Sequence, residues 1–344
     1  IHGATQGHAW PVLGQTWRKA VKGALQILPG VVLAGTIVWA AAFLHIYSRS
    51  LTRVEASRWM YNNIPAVATL HADNGLKMQA SVPPDTLLSK YSPVSLTPFT
   101  PETSMTVTRL TLNKVNSVSA GGRRRLNMAL LNDPNGTTRL AEATVEVDLP
   151  TTGLQTIEAD LPSPVLLEAG KAVYLEITLL DGEIIKLQTS VIANEHWDDA
   201  LPQRVDGKDA FGNWYRSLSS NPPNGQMDNY NNDTPEKRQS LFDWLDEADY
   251  IVLSSNRLYA SIPRLAMRYP FTTAYYEALF NGSLGFELLA EFVSYPALGP
   301  CQFPDQEIPF ALMEPRYTNA RPCQIMFPPA EEAFSVYDHP TVLI

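Results

Sequence analysis

Glu195-His196-Trp197-Asp198-Asp199 is the densest chemical cluster in the chain, placing carboxylates and an imidazole within five residues. Such a set is the raw material for a divalent-metal site or a general base. It follows the apolar run VIAN (191–194), and α/β domains gather ligands beyond strand ends of this kind. Neighbours on an extended strand point to opposite faces, so not all five side chains can converge on one ion. A hydrogen-bonded corner, with Asp198 or Asp199 capping a turn before Pro202, explains the same residues without catalysis. Glu195, His196, Asp198 and Asp199 are therefore weak catalytic candidates. Asp338-His339, ahead of Pro340, has the same ambiguity, and turn chemistry accounts for it.

Arg257, Arg264 and Arg268 follow the apolar strand pattern DYIVLSS (249–255) and form a weak ligand-binding set. Guanidinium groups there suit a phosphate or pyrophosphate, and with Tyr259 and Tyr269 they equally suit an interface. No glycine-rich phosphate loop accompanies them, which weakens a nucleotide reading. On the helical pattern 270–282, one of Tyr275 and Tyr276 is expected to pack inward and the other to face solvent. The loop 220–233 gathers Asp228, Asn229, Asn231, Asn232 and Asp233, but the spacing matches no calcium loop. No Ser-His-Asp order, zinc-ligand spacing or Cys-His pair is present. Neither metal nor cofactor is expected.

The elements that must hold these groups begin with a greasy one. Residues 23–48 run 26 positions without Asp, Glu, Lys or Arg, about 39 Å as a helix and enough for a tilted membrane crossing. Trp17, Arg18, Lys19 and Lys22 flank one end, Phe43 and Tyr47 the other. Arg49, Arg53 and Arg58 nearly cancel the charge asymmetry, so the positive-inside rule does not orient the span. Gly30 with Ala34 offers a small-residue face for a neighbouring helix, and Pro29 is positioned to kink the span. The lipid bilayer and other transmembrane helices, of the same protein or of partner subunits, are the expected partners. A net charge of −9 and the lack of any basic run beyond Arg123-Arg124-Arg125 exclude nucleic acid as the natural partner. Ile1 at the start and the apolar HPTVLI at the end read as limits of a piece, with this span the last of something larger.

After the span, TRVEASRWMYNNIP (52–65) has helical spacing, with Thr52 as expected N-cap and Glu55 at the capping-box position. Residues 66–190 alternate apolar and polar in short runs separated by AGG, DPNG, PTTG, EAGK and DG, the pattern of an antiparallel β-sandwich. LEAGKAVYLEI (167–177) resembles a closing strand of the jelly-roll appendages of extracellular proteins, many of which bind carbohydrate on aromatic platforms. With only Tyr91, Phe99 and Tyr174 and no Trp, this stretch favours a spacer or protein-contact role. In 191–344, Thr234-Pro235 opens a helix reaching about 248, FELLAEFVS (286–294) reads as a strand, and FSVYDHPTVLI as a final hairpin. Alternating helices and short apolar strands imply a three-layer α/β domain with a mostly parallel sheet.

The expected division is a membrane-proximal segment 1–22, a transmembrane helix 23–48, an α/β domain from 49–65 and 191–344, and an inserted β-sandwich 66–190. Cys301 and Cys323, 22 residues apart around a proline-rich stretch, fit a disulfide in an oxidising compartment, or two separate thiols.

RVEASRWMYNNIP (53–65), VIANEHWDDALP (191–202), the long block 245–299 containing DYIVLSSNRLYASIPRL and TAYYEALFNGSLGFELL, and EEAFSVYDHPTVLI (331–344) resemble the C-terminal part of the "YYY" membrane-protein family. Its members are uncharacterised polytopic proteins similar to lipid-linked-sugar glycosyltransferases. The resemblance implies that the helix at 52–65 follows a span directly, that the bulk of the chain lies on the extracytoplasmic side of the cell membrane, and that a lipid-linked sugar is a partner. Two departures stand out: the sandwich separates blocks that normally adjoin, and a second insertion at about 300–329 holds both cysteines. The catalytic acid of such transferases lies in an early loop, so this segment is expected to lack the catalytic centre. The alternative is a non-catalytic, membrane-anchored accessory subunit of a larger complex.

Overall fold

The computed structural model describes residues 15–135, 137–195, 200–209, 214–218, 229–306 and 313–344, with backbone alone at 15–21 and 24. Trp17, Arg18 and Lys19 thus lie outside the described side chains, as 1–14 lie outside the described residues. The chain divides into two compact units: 1–49 with 295–304 and 321–327, and 50–294 with 305–320 and 328–344.

In the first unit, helix α1 (Gln15–Tyr47) contains the whole apolar run up to Tyr47, and Pro29 lies inside it. It is long and apolar enough to cross a membrane. Leu25, Ile27, Val31, Leu33 and Ile37 are more than half exposed, and a Cβ added at Gly30 or Gly35 would meet nothing within 4 Å. Among the described side chains, the buried ones of α1 lie at its C-terminal end. Trp39 stacks on Phe327 with centroids 4.4 Å apart and meets the edge of Phe303. Ala42 and Ile46 are buried, and Arg321 Nη2 lies 2.6 Å from His45 Nε2. Cys301 and Cys323 form a disulfide and sit opposite each other in register.

The second unit opens with α2 (Thr52–Asn63). Thr52 is its first helical residue rather than its cap: Leu51 precedes the helix, and the Thr52 hydroxyl donates to the Pro340 carbonyl. Glu55 likewise accepts from Asn319 instead of closing a capping box. The tertiary partners outcompeted the local ones. Ten strands follow: β1 (Ala68–Ala72), β2 (Lys77–Ala80), β3 (Thr86–Leu88), β4 (Val94–Phe99), β5 (Met105–Ser117), β6 (Gly122–Leu131), β7 (Arg139–Leu149), β8 (Gln155–Leu167), β9 (Val173–Asp181) and β10 (Ile185–Gln188). They pair antiparallel into two sheets, β2-β1-β5-β10-β3 with β8 also on β5, and β4-β9-β6-β7. Val173, Leu175, Ile177 and Leu179, every second residue of β9, join Val107, Leu110, Leu112 and Val115 of β5 in one core whose buried members all fall between Val67 and Leu187. The period-two alternation of the sequence is this inward face. Tyr91, in the turn between β3 and β4, is fully exposed.

The remainder contains β11 (Val191–Asn194), β12 (Arg216–Ser217), α3 (Pro235–Glu247), β13 (Tyr250–Val252), α4 (Arg257–Ser261), α5 (Pro270–Phe280), β14 (Ala290–Phe292), β15 (Ala297–Leu298), β16 (Cys301–Gln302), β17 (Tyr317–Thr318), β18 (Cys323–Gln324) and β19 (Val342–Leu343). Of these, β15-β16-β18 belong to the first unit. β11 pairs parallel with β12 and β13. β14 pairs parallel with β17 and antiparallel with β19, and Leu253 bridges Leu343. Val191 and Ala193 pack with α5, while Ile192 packs with α2, so β11 is apolar on both faces.

Two expectations are corrected here. FELLAEFVS is a strand only at 290–292, and FSVYDHPTVLI is no hairpin. Phe334–Asp338 is a π-helical turn closed by the His339 amide on the Phe334 carbonyl, and β19 finds its partner in β14.

Candidate functional site

Glu195 follows directly on β11 and is 2% exposed. The reciprocal amide contacts of Asn194 with Leu201, Nδ2 to O at 2.9 Å and Oδ1 from N at 3.3 Å, pin the far end of the following loop to the strand end. Tyr276 of α5 donates its hydroxyl to Glu195 Oε1, and Asn229 Nδ2 donates to the same oxygen at 3.2 Å. Burial first, and then the Glu195 charge, push the Tyr276 and Tyr275 phenols well above their ordinary range. Both tyrosines are buried, against the expectation of one facing solvent, because α5 buries Thr272, Thr273, Tyr275, Tyr276, Leu279 and Phe280, more than half of its 11 residues and an arc wide enough for both rings. Glu195 Oε1 is thus held by two neutral donors in a buried setting. His196, Asp198 and Asp199 lie outside the described residues. Among the described residues no group of three or more His, Cys, Asp or Glu could hold a metal ion.

The described end of the oxygen-rich loop, 229–233, is organised by a lysine. Lys237 Nζ lies 3.0 Å from the Asn229 carbonyl, 2.7 Å from that of Asn231 and 3.0 Å from Asp233 Oδ1. The ammonium occupies the place a cation would take. Asp233 in turn accepts from the Phe271 and Thr272 amides at the start of α5. Asp228 is outside the described residues.

The three arginines part company. Arg257 and Arg264 line one cleft of about 120 Å³ with Asp305, Gln306 and Glu332. Arg257 also donates to the Tyr337 hydroxyl and pairs with Glu332. Arg268 instead donates to Asn232 Oδ1 and stacks on Tyr269. His339, fully buried, faces Asp305 with Nε2 at 3.1 and 3.2 Å from its two oxygens. Asp338-His339 therefore does more than turn the chain. Asp305 and Gln306 were not readable as site residues, because nothing in their immediate sequence signals His339, 34 and 33 residues away; Lys237 was missed although Asn229, Asn231 and Asp233 lie within eight residues of it.

No protein-family model and no curated protein matches the chain. Among solved structures, a CocE/NonD family hydrolase from Staphylococcus aureus is 11% identical over 37% of this chain and 35% of its own, with a TM-score of 0.25. A structure described as "CBM4 structure and function" is 13% identical over 30% of this chain and 62% of its own, at 0.20. A family 11 carbohydrate-binding module from Clostridium thermocellum, in complex with a tetrasaccharide, is 10% identical over 36% of this chain and 98% of its own, at 0.13. The chain spans about a third of the hydrolase's length and 62% of the second structure's. TM-scores this low establish neither a shared fold nor a shared activity.

Proposed function

We propose that this chain is the membrane-tethered, extracytoplasmic C-terminal region of a glycosyltransferase-like polytopic membrane protein, and that it contributes binding surface rather than chemistry. The observation that carries the tether is α1, whose apolar side chains stand exposed over most of their length. Apolar area left in water costs about 25 cal/mol per Å², so this helix calls for lipid or for other helices around it, and the open Gly30 face suits close helix approach. The finer fold reading, a three-layer α/β domain interrupted by the β-sandwich, draws support from parallel β12-β11-β13 with α2 packed on one side and α5 on the other. A lipid-linked sugar, handled at the cell membrane, is the substrate class of the assembled protein under this reading.

The second reading, a non-catalytic accessory subunit, is favoured by the engagement of Glu195 with Tyr276 and Asn229, which leaves that carboxylate a structural duty. Alkaline carbonate extraction of native membranes tests the tether: the protein is expected in the pellet, and full release without detergent refutes it. The mass of the native polypeptide then separates the readings. A product much larger than this chain supports the transferase region, and one near 38 kDa supports the accessory subunit.

A further inference from the structure

The second unit contains a cavity of about 710 Å³ that none of the residues above accounts for. That volume falls within the range of roughly 300–1,000 Å³ typical of small-molecule sites. Its apolar wall is made by Leu253 and Leu343 at the bridge between strands, by Leu279 and Phe280 of α5, and by Phe286 and Leu288 of the segment after it. Phe286 and Leu288 are only half-buried, so apolar surface that could have closed over the core stays open along the cavity.

The polar groups of the lining are the informative part. Lys114 and Asp249 pair with each other, and Asp249 also accepts from the Val191 amide at 2.7 Å. Arg316 pairs with Glu287. Lys114 and Asp249 are mostly shielded from solvent, 20% and 32% exposed, so a charged ligand group at their end of the cavity would have to break that pair at a desolvation cost; Arg316–Glu287 is two-thirds exposed and lies at the solvent side. Tyr250 and Asn63 add uncharged hydrogen-bonding groups. Burial, and then the neighbouring Asp249 carboxylate, raise the Tyr250 phenol, so it stays a donor at neutral pH.

We infer that this cavity binds an uncharged amphiphile, a molecule with a long apolar body and a hydroxyl or carbonyl end. The apolar wall takes the body, and Tyr250 and Asn63 meet the polar end. The lining lies wholly within the second unit, and the inference stands whether or not the chain belongs to a transferase.

The test is photolabelling of the full chain in lipid nanodiscs with hexadecanol carrying an alkyl diazirine, followed by peptide mapping. Adducts are expected within 279–289, separate from those on α1. Excess plain hexadecanol should suppress the 279–289 adducts, and diazirine-bearing palmitate should label that segment roughly tenfold less, since its carboxylate arrives without a partner. Leu279→Trp and Leu288→Trp each fill the cavity and should abolish labelling there; the competition arm needs no variant and stands if either one misfolds. Adducts confined to α1, no competition by hexadecanol, or equal labelling by palmitate would each overturn the inference.

Discussion

Asp233 offers the most quantitative test of how the α/β part is held together. Pro270 opens α5 without an N–H, and Tyr269 ahead of it supplies no side-chain cap. The next two amides, Phe271 and Thr272, donate instead to Asp233 Oδ2 at 2.6 and 3.0 Å. Its other oxygen accepts from the Thr272 hydroxyl at 2.5 Å and from Lys237 Nζ at 3.0 Å. Asp233 also stands one residue before Thr234, the N-cap of α3, so a single carboxylate ties the starts of two helices. Its side chain is 10% exposed and that of Lys237 11%. Asp233→Ala removes four charge-assisted contacts, among them the ion pair with the Lys237 ammonium. Breaking a buried pair from one side costs about 3–5 kcal/mol. Urea unfolding of the detergent-solubilised chain reads the loss, and hydrogen exchange at the Phe271 and Thr272 amides locates it. Asp233→Asn in a Lys237→Met background should recover part of it, with a coupling of about 1–3 kcal/mol. The pH dependence follows from the sign of the shift. Burial alone would raise the carboxyl; the bonds from Thr272 and Lys237 outweigh it and hold the value below 3.8. The contribution is therefore complete above the unfolded value and disappears as pH falls through the folded one. Asp233→Asn should flatten that acid limb. Equal midpoints for wild type and Asp233→Asn at neutral pH, with identical acid limbs, would refute the reasoning.

Four further outcomes are expected. Tyr276→Phe deprives buried Glu195 of its hydroxyl donor and should cost about 1–3 kcal/mol by thermal unfolding. Glu195→Gln should leave any sugar transfer by the assembled protein unchanged, and loss of transfer with normal stability would return Glu195 to a catalytic role. Gly182→Ala should destabilise the β-sandwich by more than about 1 kcal/mol, because φ is +111° there and a Cβ would lie 2.4 Å from Arg124 Cδ and 2.8 Å from the Arg123 carbonyl; unaltered protease resistance would count against it. Reducing Cys301–Cys323 releases a closure of 22 residues, worth about 3 kcal/mol on loop-entropy grounds, and should expose 301–323 to proteolysis that the oxidised protein resists.

What could be read from the sequence was what local chemistry decides. The start of α3 was legible because Thr234 accepts from the Lys237 amide at 3.1 Å and Pro235 occupies the first helical position. Both signals sit within four residues. The strands β5 and β9 were legible because one face of each is largely buried, and alternation writes that face directly into the sequence; β6 was legible as an apolar run, buried on both faces from Leu126 to Leu131. β8 escaped notice because Pro162 and Pro164 argue against a strand. The ladder answers that objection: β8 pairs with β5 through Asp160↔Arg109 and Val165↔Val107, and the register slips between those pairs, so both prolines fall where no ladder N–H is required.

The site was less legible for a reason that the same contacts make plain. Glu195 could be placed at a strand end from its own neighbourhood, but its character is set by Tyr276 and Asn229, 81 and 34 residues away. Thr52 had every local mark of an N-cap, yet its hydroxyl reaches a carbonyl 288 residues on. His339 in a turn becomes a buried partner of Asp305, inside a stretch that read as an insertion. In each case a polar side chain whose local role was cheap to satisfy was recruited by a buried group far away in the sequence. Burying an unmatched polar group costs more than leaving a helix end to water or to its own backbone. Sequence reading ranks polar residues by their nearest neighbours, and it fails where burial makes a distant neighbour the more urgent one. By that logic the residues of the 195–199 cluster cannot be treated as one unit, because Glu195 already answers to Tyr276 of α5.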